Sequence, residues 1–286
     1  MIKIFDTNFR PPYKFKAIFN SPHSGCIYPK EFLDSTNLDI YDLRTSEDAF
    51  VGDLFFPTKL FNCLLMEAKF PRTFVDLNRS HLELDPNLIS GDFRFDKTAR
   101  NIAGMGVIPR ISGNGKEIYS KTILVQDAKK RLENFYFPYH VFLNGLLMES
   151  KKRLGYAVLF DCHSMPSKLN LELSKSQNNC NPDIILGDLN GNSCSSFITN
   201  KVKSIFEKYN FLVTKNHPFS GGYITKKYGD PSNNIHVIQI EINKKLYMDE
   251  NTIERSNNYE NLSIKLTSVI EELSNLYPIG GNIAAE

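Results

Sequence analysis

The chain has 286 residues, of which 41% are hydrophobic, so it is long enough to bury a sizeable core. Its 34 Lys and Arg residues nearly balance its 32 Asp and Glu residues, and there is no long basic run or acidic tail. Nucleic acid and anionic membranes are therefore not expected as partners. No stretch approaches the roughly 20 apolar residues of a membrane span, and the first residues lack the apolar core of a signal peptide, so we expect a cytoplasmic protein.

Hydrophobic patterning predicts strands and helices that alternate along the chain. The predicted strands cover residues 15–20, 63–66, 73–77, 156–160, 184–186, 211–214 and 236–242. The predicted helices cover 46–57 with Ser46 as N-cap, 121–153 with a kink or break at Pro138, 195–209, and 253–275. This alternation predicts an α/β fold in which helices cover both faces of a mixed or mostly parallel sheet. Because the sequence has no internal repeat or linker, we predict one domain over residues 1–286.

The cysteines are odd in number, scattered, and free of any CxxC pair: Cys26, Cys63, Cys162, Cys180 and Cys194. This pattern predicts free thiols in a reducing compartment, and it argues against a disulfide framework or a structural zinc site built on cysteine.

Polar side chains end or interrupt three of the predicted apolar strands. His23 follows the first strand, Asp161 and His163 follow the strand at 156–160, and Glu241 lies inside the strand at 236–242. Because ligands bind beyond the carboxyl ends of strands in open α/β sheets, the two histidines could meet in space although they are far apart in the sequence. The alternative is a set of separate hydrogen-bonded histidines and an ion-paired Glu241. Burial of these groups without partners would be costly.

A carboxylate near the start of the helix predicted at 46–57, Asp48 or Glu47, could join the two histidines. Two histidines and one carboxylate leave an open position for water, which is typical of catalytic zinc sites. The sequence contains no HExxH motif, so this interpretation depends on the strand ends meeting in the fold.

Arginines and glycines in two further segments suit an anionic substrate. Arg72 and Arg79 flank residues 73–78, and guanidinium groups match carboxylates, although Arg72 could instead pair with Asp76 at the surface. Gly221 and Gly222 would let the backbone approach a ligand closely, or form an ordinary turn. The polar loop at 80–118 is long enough that a functional role is expected.

Eight motifs stand in one order along the chain: SPHSG (21–25), ED (47–48), FPRTFVDLNR (70–79), PYH (138–140), LFDCHSM (159–165), LGDLNGNSC (186–194), GGYITKKYGDP (221–231) and IQIEINKKLYMDE (238–250). In this order they resemble the N-formylglutamate amidohydrolase family, over about residues 17–250. The first 15 residues and the last 35 carry no motif.

The resemblance implies a three-layer α/β/α sandwich like that of the zinc exopeptidases, and hydrolysis of the amide bond of an N-acyl acidic amino acid. N-formyl-L-glutamate, cleaved to formate and L-glutamate, is the implied substrate. One zinc ion would be held by His23, Asp48 and His163, and Asp48 matches the family position better than Glu47. Glu241 matches the general base.

The predicted substrate-binding residues are Arg72, Asn78, Arg79, Gly221, Gly222 and Thr225, and the resemblance makes Arg79 the best candidate to bind a substrate carboxylate. Arg79 would also act in catalysis, and two roles stay open for it, a clamp for the substrate carboxylate or a stabiliser of the oxyanion. Asp161 would orient a ligand histidine. His140 is either near the substrate or on a helix surface, and some family members carry His where this chain has Tyr223.

Two alternative functions are compatible with parts of this pattern. A zinc deacylase or carboxypeptidase acting on another N-acyl amino acid or peptide would use the same zinc residues with a different pocket. A non-catalytic small-molecule binding protein would have lost a ligand or the base, whereas all four residues are present here. The oligomeric state is left open, and histidine breakdown is the expected context if formylglutamate is the substrate.

Overall fold

The computed structural model describes residues 3–9, 15–168 and 181–276. Its strands are β1 (Phe5–Thr7), β2 (Ile18–Ser21), β3 (Leu64–Ala68), β4 (Ile89–Ser90), β5 (Ile123–Leu124), β6 (Ala157–Met165), β7 (Ile184–Gly187), β8 (Val213–Lys215), β9 (Ile235–Asn243), β10 (Met248–Asp249) and β11 (Glu254–Arg255). Its α-helices are α1 (Lys30–Leu33), α2 (Ile40–Arg44), α3 (Val51–Phe55), α4 (Ala99–Ile102), α5 (Val125–Arg131), α6 (Phe137–Leu154), α7 (Ser196–Lys208), α8 (Tyr223–Tyr228) and α9 (Tyr259–Ser274). Shorter 3-10 segments lie at Phe56–Phe61, Pro231–Asn233 and Lys244–Leu246, and a π-helical segment lies at Leu132–Tyr136.

Seven strands form the central sheet in the order β1-β3-β2-β6-β9-β7-β8. The four neighbours β3, β2, β6 and β9 are parallel. β7 and β8 run parallel to each other but antiparallel to β9, and β1 runs antiparallel to β3. The sheet is therefore mixed and mostly parallel, as predicted.

Helices cover both faces of this sheet, which confirms the predicted three-layer α/β/α sandwich. On one face, the α6 face, α5, α6 and α8 contribute to one apolar cluster with the strands. On the other, the α9 face, a second cluster contains residues of α3, α7 and α9. The buried apolar residues of α9 fall at the spacing of a single helical face: Leu262, Leu266, Val269, Ile270 and Leu273.

The strands β6 and β9 lie side by side at the centre, in register from Ala157 opposite Ile235 to Met165 opposite Asn243. All nine residues of each strand are buried, as expected for a strand covered on both faces. Side chains alternate between the faces, so Leu159 belongs to the cluster on the α6 face and Phe160 to that on the α9 face.

The strand predicted at residues 73–77 is wrong. The segment forms turns in which Phe74 N and Val75 N donate to Pro71 O at 3.0 and 3.4 Å. Phe74, Val75 and Leu77 are nevertheless buried in the core beneath the α6 face. Core burial of a turn therefore produced the apolar pattern that predicted a strand.

The helix predicted at 46–57 begins later than expected, so its N-cap at Ser46 is wrong. The helix starts at Val51, after Phe50 in the left-handed region with φ 65°. The Ser46 hydroxyl instead accepts a hydrogen bond from Gly113 N at 2.8 Å. Residues 46–50 form a turn because Asp48 N donates to His23 O at 3.1 Å, which ties this segment to the end of β2.

Two other boundaries differ from the prediction. The strand predicted at 156–160 continues to Met165, because every residue of β6 has a partner in β9. The helix predicted from 253 starts at Tyr259, because Met248–Asp249 and Glu254–Arg255 pair as a small hairpin.

The long helix predicted at 121–153 is present as α5 and α6, joined by the π-helical segment. Pro138 lies in the first turn of α6, directly after that segment, and a proline cannot donate the backbone hydrogen bond of a regular helix. Gly155, in the left-handed region with φ 79°, ends α6.

The remaining predicted strands and helices are confirmed within three residues at each end. Among the described residues, no helix is both long and apolar enough to cross a membrane. The described cysteines are free, and Cys180 lies outside the described residues. One domain over 1–286 stays a prediction.

Candidate metal centre and substrate cleft

The α6 face changes from apolar to polar along β6 and β9. In β6, Leu159 packs under the helices, and the next two residues on the same face are Asp161 and His163. In β9 the matching positions are Gln239 and Glu241, which lie opposite Asp161 and His163 in the parallel register. All four polar side chains are buried. The polar positions thus come at the carboxyl half of the strands, where ligands bind in open α/β sheets.

Three potential metal ligands converge at this point. The carboxylate of Asp48 places Oδ2 at 3.0 Å from His163 Nδ1 and 3.3 Å from His23 Nδ1. One donor atom from each residue lies within 4.8 Å of the others, and all three residues are buried. Glu47 points elsewhere, because its carboxylate accepts hydrogen bonds from Tyr28 and Arg44.

The outer nitrogen of each histidine faces a second carboxylate. His23 Nε2 lies 2.8 Å from Asp76 Oδ1, and His163 Nε2 lies 3.0 Å from Asp161 Oδ2. These partners assign the proton to Nε2 in each ring, so the Nδ1 lone pairs face Asp48. Among the described residues, His23 Nδ1 has no hydrogen-bond partner although it is buried. Two Nδ1 atoms and one carboxylate oxygen in this arrangement fit a metal ion.

A buried chain of hydrogen bonds supports Asp161 from the helix layer. Asp161 Oδ1 accepts from Asn20 Nδ2 at 2.8 Å, and Asn20 Oδ1 accepts from the Tyr139 hydroxyl of α6 at 2.5 Å. Asp161 is thereby fixed at both oxygens, and it fixes the ring of His163 in turn.

The carboxylates of Asp48 and Asp76 are ionised at neutral pH. Burial would raise the pKa of Asp48, but the adjacent His163 and His23 hold that pKa well below its usual range. Burial likewise opposes ionisation of Asp76, whose pKa is held well below its usual range chiefly by the charges of nearby arginines. The centre therefore offers the negative charge that a cation needs.

Glu241 lies beside His163 in the sheet, and its carboxylate accepts a hydrogen bond from Gln239 Nε2 at 2.6 Å. Burial raises the pKa of Glu241 to about 7. A carboxyl group with a pKa near neutrality can accept a proton and return it at working pH.

A cavity of about 330 Å³, named here the metal cavity, opens onto these groups. Its wall contains the three potential ligands, Glu241 and most of the predicted substrate residues: Arg72, Asn78, Arg79, Gly221 and Gly222. A cavity of this size holds a small molecule.

The chain was compared with known protein families and solved structures. The sequence model of the N-formylglutamate amidohydrolase family matches residues 15–248. The chain belongs to the N-formylglutamate amidohydrolase family. The predicted family and the predicted hydrolase of amide C–N bonds are both confirmed.

Individual members and structures agree with this assignment. The N-formylglutamate deformylase of Pseudomonas putida is 29% identical over 240 residues, which cover 83% of each chain. The crystal structure of N-formylglutamate amidohydrolase from Ralstonia eutropha JMP134 superposes with a TM-score of 0.88 at 27% identity, over 96% of this chain and 98% of that one. A gene product of Agrobacterium tumefaciens, with a TM-score of 0.68 at 13% identity over 95% and 94% of the two chains, shares the fold.

The arginines of this amidohydrolase differ in how firmly they are held. Arg72 donates to Asp76 Oδ2 at 2.7 Å, so the predicted alternative of an Arg72–Asp76 pair exists, although Asp76 is buried. Arg79 donates to Met105 O at 3.0 Å and to Asn78 O at 2.9 Å. Arg79 Nη2 lies 3.9 Å from Asp76 Oδ2. Both guanidinium groups lie on the cavity wall, and their role in substrate binding stays a prediction.

Asn78 and the two glycines hold the loop at residues 216–222, just before α8, against the centre. Asn78 Oδ1 accepts from Ile224 N at 2.8 Å, and its Nδ2 lies 3.3 Å from His163 Nε2. A Cβ atom on Gly222 would lie 2.3 Å from the Asn78 amide, so only glycine allows this approach. Gly221 has φ 128°, which also favours glycine.

Two residues considered from the sequence lie off the cavity wall. Thr225 is fully buried and its hydroxyl donates to Gly222 O at 2.7 Å. His140 is buried with Nδ1 at 2.8 Å from the Tyr228 hydroxyl, so it is not on a helix surface. A direct contact of Thr225 with substrate stays a prediction.

Sequence reasoning missed three residues of the site. Asp76, considered only as a partner of Arg72, also faces His23. Gln239 stands two residues before Glu241, so strand periodicity could have placed both on one face. Arg100 reaches the cavity wall from the loop at 80–118, where composition alone pointed to function.

Proposed function

We propose that this chain hydrolyses N-formyl-L-glutamate to formate and L-glutamate, using one zinc ion held by His23, Asp48 and His163. The observation that carries the proposal is the convergence of the three donors beside Glu241, on the wall of a cavity lined by arginine. When bound, zinc supplies Lewis-acid activation of water and of the amide carbonyl.

Glu241 is proposed as the general base and acid. Its carboxylate takes one proton from the attacking water as the water oxygen bonds to the formyl carbon. It then delivers that proton to the leaving nitrogen as the C–N bond breaks, giving formate and the free amino group of glutamate. Proton transfer of this kind contributes about 10²–10⁴-fold to rate, and the raised pKa of Glu241 supports both directions of transfer.

Arg79 and Arg100 are proposed to bind the α-carboxylate of the substrate. Both lie on the wall of the metal cavity. Arg100 is exposed and forms no ion pair within the described residues. A carboxylate held there would be placed beside the reacting amide, which lowers the entropic part of the barrier. Cytoplasmic location and a place in histidine breakdown accompany this proposal as expectations.

The test is release of L-glutamate from N-formyl-L-glutamate by purified protein, metal-free and zinc-loaded, beside N-acetyl-L-glutamate and N-formyl-L-aspartate. We expect zinc-dependent turnover that favours N-formyl-L-glutamate. Equal turnover with and without zinc would remove the metal from the proposal. Turnover that favours N-acetyl-L-glutamate would make the protein a deacylase for another acyl group.

A further inference from the structure

A second cavity, named here the side chamber, adjoins the metal cavity and has a volume of about 260 Å³. The two cavities share Asp48, Arg72 and Arg79 in their walls, so one of the three candidate metal donors, Asp48, stands at their boundary. The side chamber extends between residues 72–73, the turn before α3 and the loop at 109–113, and Lys244 closes one side of it. A substrate whose amide lies at the metal centre could therefore extend a group into this chamber.

Lys244 brings a buried positive charge to the chamber. Its side chain follows β9, the residue is 9% exposed, and Nζ donates to Glu47 O at 2.8 Å. Within residues 3–9, 15–168 and 181–276, no carboxylate oxygen lies within 4.0 Å of this Nζ. The Glu47 carboxylate is turned to Tyr28 and Arg44, and it acts on Lys244 only through its charge and not through a hydrogen bond. A buried ammonium group with a single carbonyl partner is costly unless an anion joins it.

Thr73 adds a hydroxyl without a partner. The residue lines the chamber, is 1% exposed, and its Oγ1 is buried with no hydrogen-bond partner among the described residues. Buried hydroxyls normally have a partner, so an orphaned one in a cavity wall points to a ligand. The guanidinium of Arg72, next in the chain, also lines the chamber.

We infer that the side chamber binds the side-chain carboxylate of the N-acyl amino acid, through Lys244, Thr73 and Arg72. The inference rests on the proposed function and deepens it, because it assigns selectivity for an acidic side chain to residues of the side chamber, whose wall does not include Glu241. A substrate with a neutral side chain would leave Lys244 and the Thr73 hydroxyl unpaired. Sites built to pair a polar group discriminate strongly against analogues that lack it.

The experiment compares kcat/KM for N-formyl-L-glutamate and N-formyl-L-glutamine, which differ in one charged group, in wild type, Thr73→Val and Lys244→Met. We expect wild type to prefer the glutamate derivative by at least about 100-fold. The preference should fall by about 10-fold in Thr73→Val and by more in Lys244→Met, mainly through KM, as for hydrogen bonds to charged groups. Lys244→Arg keeps the positive charge, so it should retain part of the preference for the glutamate derivative that Lys244→Met loses.

Thermal unfolding and a matched variant separate binding from folding. Thr58 is fully buried, lies outside both cavity walls, and accepts a hydrogen bond from Asn8 Nδ2 at 3.1 Å. Thr58→Val should lower the melting temperature and leave the preference at its wild-type value. An unchanged preference in Thr73→Val and Lys244→Met, or an equal loss on both substrates, overturns the inference. A shift in the ratio of N-formyl to N-acetyl substrates instead of the glutamate to glutamine ratio would assign the chamber to the acyl group, and also overturns it.

Calorimetric binding of L-glutamate and L-glutamine to the zinc-loaded protein tests the chamber without turnover. Tighter binding of glutamate that Lys244→Met abolishes supports the inference even if no N-formyl substrate is cleaved, in which case only the proposed reaction fails. Equal binding of both amino acids by wild type overturns the inference whether or not the reaction is confirmed.

Discussion

The two faces of β6 and β9 differ although they belong to the same strands: one is part of the apolar core, and the other carries polar side chains of the candidate centre. On the α9 face, Phe160 and Ile240 are fully buried among apolar side chains. On the α6 face, their chain neighbours Asp161 and Glu241 belong to the candidate centre. Because side chains alternate between the two faces, each of these core residues is followed directly in the chain by a residue of the candidate centre. We therefore expect that mutations of neighbouring residues in one strand change stability and activity independently.

The two faces also differ in what burial requires. An apolar side chain gains about 1.5–3 kcal/mol when fully buried, with no partner needed. A buried carboxylate or imidazole needs a matched partner for each polar atom. His163 has Asp161 as the partner of its Nε2, and its Nδ1 faces Asp48 at the candidate metal position. The polar half of the α6 face is therefore held by specific pairs, whereas the α9 face is held by packing.

The largest expected effect comes from removing a ligand on the polar face. His163→Ala should lose tightly bound zinc, and turnover should fall below detection, because only His23 and Asp48 remain. Zinc content by mass spectrometry or atomic absorption, with activity before and after chelation and zinc addition, checks this. A variant that still binds one equivalent tightly would refute the role of His163 as a ligand.

Glu241→Gln should cost about 10³-fold in kcat while zinc stays bound, since the amide keeps the shape of the side chain but cannot take a proton. Steady-state kinetics and metal analysis on the same preparation provide the measurement. Turnover near the wild-type rate would rule out Glu241 as the base.

Asp161→Asn should lower zinc affinity by about 10–100-fold, because the charged partner of His163 is lost. Asp188→Asn is the matched control: Asp188 is buried just after β7, accepts from Thr199 at 2.7 Å, and has no hydrogen bond to a histidine. Competition with a chelator of known affinity measures both variants. Equal zinc affinity in the two variants would show that Asp161 does not support the ligand.

The smallest effect is expected on the apolar face. Ile240→Val removes one methylene from a fully buried residue between Gln239 and Glu241, and should cost about 1 kcal/mol of unfolding free energy. Its kcat/KM should stay at the wild-type value. Urea unfolding and steady-state kinetics together test this prediction. A large loss of activity would contradict the expectation that mutations on the apolar face leave catalysis unchanged.

Much of the fold could be predicted because its signals are local. Apolar runs of strand length, the helical pattern at 195–209 and the glycine that ends α6, Gly155, depend on residues near each other in sequence. They gave the order of strands and helices and the mixed sheet. The turn at 73–77 was mistaken for a strand because core burial leaves the same apolar pattern in both.

The sequence by itself determined which residue types stand at the strand ends, and the motifs determined the family. Only the tertiary structure decided their partners. That Asp48 rather than Glu47 faces the histidines, that Asp76 supports His23, and that Lys244 closes a chamber beside Arg72 follow from contacts between distant segments. Such contacts depend on how strands and loops pack in space, and no spacing along one chain encodes a distance between two segments that meet only after folding.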